Sequence, residues 1–166
     1  MSSVARTFLD QPGVPLVTVS LTCDAGSKAP VTATLEPAAL GGPRDAAWNV
    51  PVCLRIEGEA APKCALLEGK AARIELARCP GFVHPNAGEA GYYRYDLDET
   101  SWKRLVSSFA SLDETERAGL LLDAWALVLA GRRGAEHVVA LFDAVDWKKE
   151  RSRVVLEAAI AVLGEI

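Results

Sequence analysis

Across residues 85–96 the spacing of apolar side chains changes, and this change limits the fold more than any other feature of the chain. Upstream, apolar residues recur at every second position; after Trp102 they recur at every third and fourth. The first period belongs to strands and the second to helices. The stretch itself, Pro85-Asn86-Ala87-Gly88-Glu89-Ala90-Gly91-Tyr92-Tyr93-Arg94-Tyr95-Asp96, reads as a glycine-bearing turn feeding one aromatic strand, the last of a β layer. The sequence therefore predicts a β-then-α chain. Residues 1–98 are expected to form an antiparallel β-sandwich of about seven short strands. Residues 99–166 are expected to form antiparallel helical hairpins, the start of an α-solenoid-like array.

Within the β part, Val17, Val19, Leu21 and Cys23 alternate with Thr18, Ser20 and Thr22, and Val31, Ala33 and Leu35 with Thr32, Thr34 and Glu36. Asp24-Ala25-Gly26-Ser27 is read as the turn between them, and residues 37–45, which hold Gly41-Gly42-Pro43, as loop. Trp48, Val50, Val52, Leu54 and Ile56 share one face of the strongest strand. Pro15 and Pro51 give no N–H to a ladder, so each is expected at a strand start, an edge or a bulge. Short strands follow at 64–67 and 72–77, Phe82-Val83 pairs briefly, and Tyr93, Tyr95 and Leu97 face inward in the last strand.

The helical part opens with Trp102, Leu105, Val106 and Phe109 on one face, capped by Thr100 or Ser101. Asp113 with Glu116 three residues on is a capping box, and Gly131 is the C′ stop of a helix facing its core with Ala118, Leu121, Leu122, Trp125, Val128 and Leu129. A third helix is expected over 135–145 and a fourth over 149–163. The fourth is apolar nearly all round, from Val154 to Leu163, so it is expected to lie between neighbours. Two readings follow: the helical array continues past this chain, or a homodimer covers the outer stripe.

The chain carries 18 Lys and Arg against 22 Asp and Glu, a net charge of -4. That argues against a general nucleic-acid or anionic-membrane binder. No apolar run approaches the roughly 20 residues that span a bilayer. With no leader pattern at the start, the expected location is the cytoplasm. Four cysteines, Cys23, Cys53, Cys64 and Cys79, show no C-x-x-C pairing; they are read as free thiols packed as small hydrophobes, with a Cys53–Cys64 bridge as the alternative.

Catalytic patterns are absent. Glu136-His137 reverses the order of H-E-x-x-H and lacks the second histidine, so His137 is read as a solvated helix residue and His84 as a loop residue. There is no G-x-S-x-G elbow and no glycine cradle for phosphates. Asp96, Asp98 and Glu99 form an acidic approach to a helix N-terminus. Trp48, Tyr92, Tyr93, Arg94 and Tyr95 are the candidate ligand or domain-contact face, set against core and edge packing for the aromatics. Arg94, opposite in pleat phase to Tyr93 and Tyr95, is expected to pair with Asp96 or Glu89.

Five segments in order carry a resemblance. They are Phe8-x-x-Gln11-Pro12-Gly13-x-Pro15; Trp48-x-Val50-Pro51-Val52; Asn86-Ala87-x-x-x-Gly91-Tyr92-Tyr93-Arg94-Tyr95; Trp102 with Leu105; and Leu112-x-x-x-Glu116-Arg117-x-x-Leu120-Leu121-x-Asp123-x-Trp125-x-Leu127. In order and spacing the chain resembles the aminopeptidase N family of zinc metallopeptidases, downstream of their catalytic domain, from about Phe8 to about Leu129. The resemblance implies the small β-sandwich that spaces the catalytic domain from a helical cap, followed by the first helices of that cap. It implies zinc in the parent enzyme and none here, because the family's G-x-M-E-N and H-E-x-x-H motifs, its distal zinc glutamate and its catalytic tyrosine have no counterpart. The partners implied are the catalytic and remaining helical domains of the parent. The rival reading is a stand-alone β-sandwich module binding a ligand or protein.

Overall fold

A computed structural model describes residues 3–23, 31–41 and 46–165. The turn expected at 24–27, and Gly42 and Pro43, lie outside them. Among the described residues seven strands form two sheets. The first has the order β5-β2-β1-β7, with β1 Val14–Thr22, β2 Val31–Gly41, β5 Ala72–Leu76 and β7 Arg94–Leu97. The second has the order β4-β3-β6, with β3 Asn49–Ile56, β4 Lys63–Glu68 and β6 Val83–His84. Pairing is antiparallel except between β1 and β7, which run parallel from Leu16↔Arg94 to Val19↔Leu97. The first sheet is therefore mixed, which corrects the purely antiparallel expectation, and the second is antiparallel throughout. A parallel neighbour needs a long crossover, and β2 to β6 all lie between β1 and β7 in the chain.

The prolines sit where a missing N–H is tolerated. Pro15 stands at the start of β1, ahead of its pairing with β7. At Pro51 only β4 flanks β3, because β6 pairs no farther than Arg55 and Ile56. Trp48, Val50, Val52, Leu54 and Ile56 are all buried, as their alternation requires. They share one core with Val17, Val19, Ala33, Leu35, Tyr95 and Leu97, and with residues of the helices.

Some local expectations are corrected. A short helix, α1 Ser3–Leu9, precedes the strands, and β2 runs through Pro37 to Gly41 where loop was expected. All four cysteines are paired, Cys23 with Cys79 and Cys53 with Cys64. Cys53 and Cys64 face each other across β3 and β4, and their register brings the sulfurs together. The Cys23–Cys79 bridge joins the end of β1 to the segment after β5, a proximity that sequence spacing does not reveal.

The helices are α2 Glu99–Ser107, α3 Glu114–Leu129, α4 Glu136–Ala144 and α5 Arg153–Leu163. Asp98, not Thr100 or Ser101, caps α2, with its carboxylate accepting from the Ser101 N–H. Asp113 and Glu116 form the expected capping box on α3. Its end is a Schellman turn: Gly131, at φ 67°, donates to Val128, and Arg132 to Leu127. The face of α3 is rotated from the expected stripe. Leu120, Leu121, Ala124 and Leu127 are buried, while Leu122 and Leu129 are exposed. Periodicity loses its phase in a helix that is apolar on most sides, and α3 packs against β7, α4 and α5 together.

In α5, Val155, Ala158, Ala159 and Val162 are buried, and α3 is the element it packs on. Leu156, Ile160 and Leu163 form a second stripe at helical spacing, and it is exposed.

Candidate functional site

The turn of residues 86–91 is closed by its own asparagine. The Asn86 side chain accepts from the Gly91 N–H at 2.9 Å and donates to the Gly91 carbonyl at 3.0 Å. A single 3₁₀ turn, Ala87–Glu89, lies inside it, with Gly88 at φ 62° and Glu89 at φ 52°. The left-handed region is uncommon for a residue with a side chain, and the surrounding contacts must hold Glu89 there. Three anchors do so. Asn86 Nδ2 donates to Glu89 Oε2 at 3.1 Å, the Gly88 N–H donates to Glu116 Oε1 at 3.1 Å, and Glu89 Oε1 lies 3.3 Å from His84 Nε2.

This turn packs against α3, and a buried polar seam forms between them. Glu116, 1% exposed, joins its capping box to the turn and to the Arg55 guanidinium of β3. Arg55 also donates to the Ser111 carbonyl and lies over the Phe82 ring. About two turns further along α3, Asp123 pairs with Arg94 of β7. The expected partners of Arg94 are thus replaced. Asp96 is instead held by Arg133, and Glu89 turns towards His84.

His84 is wholly buried in β6, not in a loop. The Asn86 N–H donates to its Nδ1 at 3.3 Å, which leaves the ring proton on Nε2. Nε2 lies 3.2 Å from the Tyr95 hydroxyl as well as beside Glu89. Burial lowers the His84 pKa from 6.5 to about 4 and raises that of Glu89 from 4.5 to about 9. Burial also raises Asp123 to about 6, against the pull of Arg94, and pushes both Tyr93 and Tyr95 upward.

Tyr, His and Glu together suggest a proton relay, but the geometry denies one. A relay oriented by the carboxylate needs that carboxylate on one ring nitrogen and the reacting group on the other. Here both contacts fall on Nε2, Nδ1 is occupied by backbone, and no ring atom meets solvent. The arrangement is suited to fastening the turn to the helix. The two histidines do not fit a metal either: His137 is buried against Trp102, ring centroids 3.7 Å apart, and not solvated as expected. Among the described residues no group of three or more His, Cys, Asp or Glu is arranged to hold a metal ion.

The candidate face divides. Trp48, Tyr93 and Tyr95 are buried, and the Tyr93 hydroxyl donates to the Pro85 carbonyl at 2.8 Å. Tyr92 is 72% exposed and meets Phe8 edge to face. Tyr92, Tyr93 and Arg94 border a hollow of about 200 Å³, while Trp48 borders a separate one of about 130 Å³ with Pro15 and Pro37. Sequence reasoning missed Arg55, His84 and Asp123, and saw in Glu116 only a cap. The Asn86, Glu116, Arg94 and Asp123 positions all fall in the segments that carried the resemblance, which was the available signal.

The strand layer is thus fastened to the helical layer by ion pairs whose carboxylates, Glu116 and Asp123, are buried. Residues 82–166 match the ERAP1-like C-terminal domain, and the chain belongs to that family. Among known proteins it is similar to tricorn protease-interacting factor F2 of Thermoplasma acidophilum, at 27% identity over 82% of this chain and 16% of that protein. It is similar to aminopeptidase M1 of Arabidopsis thaliana, at 28% over 74% of this chain and 16% of the relative. A probable M1 family aminopeptidase of Encephalitozoon cuniculi matches at 26% over 82% and 15%. The chain thus spans about one sixth of the length of these relatives.

Proposed function

We propose that this chain is a non-catalytic joint of a zinc aminopeptidase. Residues 1–98 form a β-sandwich domain that spaces the catalytic domain from a helical cap. Residues 99–166 are the first hairpins of that cap. Family membership and relatives named as aminopeptidases support the parent class. The sequence holds no H-E-x-x-H and no nucleophile motif, so hydrolysis belongs to the parent. The exposed Tyr92 and the partly exposed edge of Arg94 beside it are the contact proposed for the catalytic domain.

The observation that carries the reading is α5. Its inner stripe is sealed by α3, and its outer stripe, with Ile160 at 68% exposure, calls for further helices. Ile160→Glu tests this. In the isolated chain the change should alter stability by under about 0.5 kcal/mol, as at other exposed positions. In the full-length aminopeptidase it should lower the melting temperature of the helical region by several degrees. Equal effects in both would sink the proposal, and a concentration-dependent dimer of the isolated chain abolished by Ile160→Glu would favour a homodimer instead.

No helix is long and apolar enough to cross a membrane among the described residues. Pairing of all four cysteines favours an oxidising compartment over the cytoplasm expected from sequence.

A further inference from the structure

We propose that the Cys23–Cys79 bridge exchanges with small thiols, Cys79 leaving as the thiolate beside Arg104, so that reduction loosens the tie between β1 and α2. The two disulfides differ in their surroundings. Cys79 is exposed, and Arg104 of α2 donates to its Sγ at 3.1 Å and to the Pro80 carbonyl at 3.3 Å. Among the described residues no carboxylate pairs with Arg104, so its charge is directed at the sulfur. In the chain Arg78 precedes Cys79, and Asp24 follows Cys23. Among the described residues no cationic side chain donates to the sulfur of Cys53 or Cys64.

A cation beside a sulfur favours its thiolate, and the sulfur that better carries negative charge leaves faster in exchange. An incoming small thiolate therefore attacks Cys23 Sγ. Its sulfur bonds to Cys23, the Cys23–Cys79 bond breaks, and the electron pair stays on Cys79 Sγ next to the Arg104 guanidinium. A second small thiolate then attacks the mixed disulfide at the small-thiol sulfur. The products are a small-molecule disulfide and the Cys23 thiolate, which takes a proton from solvent. Two electrons pass from two small thiols to the bridge.

Topology lets the opened sulfurs part. Cys53 and Cys64 are opposite residues of paired strands, and the ladder of β3 and β4 keeps them facing after reduction. Cys23 follows the end of β1, Cys79 follows the end of β5, and β2 separates those two strands in the sheet. The bridge also braces the joint with α2. Asp98, the cap of α2, donates its N–H to the Val19 carbonyl at 3.2 Å and accepts the Leu21 N–H on Oδ2 at 3.2 Å. Arg104 belongs to the same helix. The end of β1 is thus tied to α2 twice, directly through Asp98 and indirectly through Cys79 and Arg104. Reduction leaves Cys79 with Arg104 and releases Cys23, so the Leu21 bond to the cap loses its brace.

The test treats the folded whole chain with mercaptoethanol, a thiol without charge of its own to select a sulfur. Samples are blocked with N-ethylmaleimide at intervals and mapped by peptide mass spectrometry. The expected first product carries mercaptoethanol on Cys23 and maleimide on Cys79. The Cys23–Cys79 bridge should open at least about threefold faster than Cys53–Cys64, an effect of the size a solvent-screened cation gives. Arg104→Met keeps the stem without the charge; it should slow that opening at least about threefold and leave Cys53–Cys64 unchanged. Once Cys23–Cys79 alone is reduced, hydrogen exchange at the Leu21 amide should quicken at least about tenfold while the β3 amides keep their protection. An adduct mainly on Cys79, a smaller difference in either rate, or Leu21 exchange that is unchanged or that rises equally in β3 would each overturn the proposal. The product map, the two opening rates and the Leu21 exchange use the unaltered chain, so they decide the matter even where Arg104→Met fails to fold. None of them depends on the aminopeptidase reading.

Discussion

Arg133 clamps Asp96 at the point where strands give way to helices. Its Nε and Nη2 both donate to Asp96 Oδ1, at 2.9 and 2.7 Å, and Nη2 also reaches the Leu97 carbonyl. The arginine follows α3, and the aspartate lies in β7, so one side chain ties the end of the longest helix to the last strand. Arg133→Ala leaves a buried carboxylate without its cation. The expected loss is about 2 kcal/mol, read as a lower urea midpoint at unchanged slope. Arg133→Lys should recover only part of it, because one ammonium cannot replace two converging N–H donors.

Gly91 and Gly88 lie three residues apart and should respond differently to alanine. A Cβ on Gly91 would stand 2.1 Å from the Tyr93 ring, and Tyr93 is buried and anchored to Pro85. Gly91→Ala should cost about 2–3 kcal/mol through overpacking. Gly88 has positive φ but open space around its Cα, so Gly88→Ala should cost only about 1 kcal/mol of backbone strain. Thermal denaturation of the two variants side by side checks the order; the reverse order would refute the packing described for the turn.

The four cysteines should give no free thiol when the chain is denatured without reductant and titrated with a thiol reagent. From loop lengths alone, the Cys53–Cys64 bridge should contribute about 3 kcal/mol and the Cys23–Cys79 bridge about 4 kcal/mol. Cys53→Ser with Cys64→Ser, and Cys23→Ser with Cys79→Ser, separate the two by their denaturant midpoints. Four reactive thiols in the freshly purified chain would return the sequence expectation of free cysteines.

His137 gives the chain an acid-sensitive contact. Burial, aided by Arg133, lowers its pKa from 6.5 to about 4. Because the folded value is depressed, its contribution is present above pH 6.5 and is lost as pH falls towards 4. His84 acts in the same direction over the same range, while Asp123, raised to about 6, acts oppositely as pH rises from 3.8. His137→Phe preserves a ring against Trp102 and removes the titration. The difference in unfolding free energy between wild type and variant should therefore shift in favour of the variant from pH 7 to pH 4. A constant difference would show that the imidazole is already charged or solvated.

Much of this architecture was readable because apolar spacing reports local structure directly. Trp48 to Ile56 alternated and were buried; Trp102, Leu105, Val106 and Phe109 kept helical spacing and were buried. The capping box at Asp113 and Glu116 and the stop at Gly131 were local signals as well. What escaped was long-range. Arg55 meets Glu116 and Arg94 meets Asp123 across 61 and 29 residues, and no spacing rule connects them. His84 and His137 were misjudged because a polar residue type says little about burial once stacking or a backbone donor satisfies it. The phase of α3 was lost because several of its sides are covered.

The role proposed for this chain is to join parts of a peptidase, with hydrolysis carried out elsewhere in the parent. The most direct measurement is turnover of leucine p-nitroanilide by the purified 166-residue chain, with and without equimolar zinc. A rate equal to that of buffer is expected in both cases. Turnover that scales with the chain, rises with zinc and disappears with a chelator would contradict it.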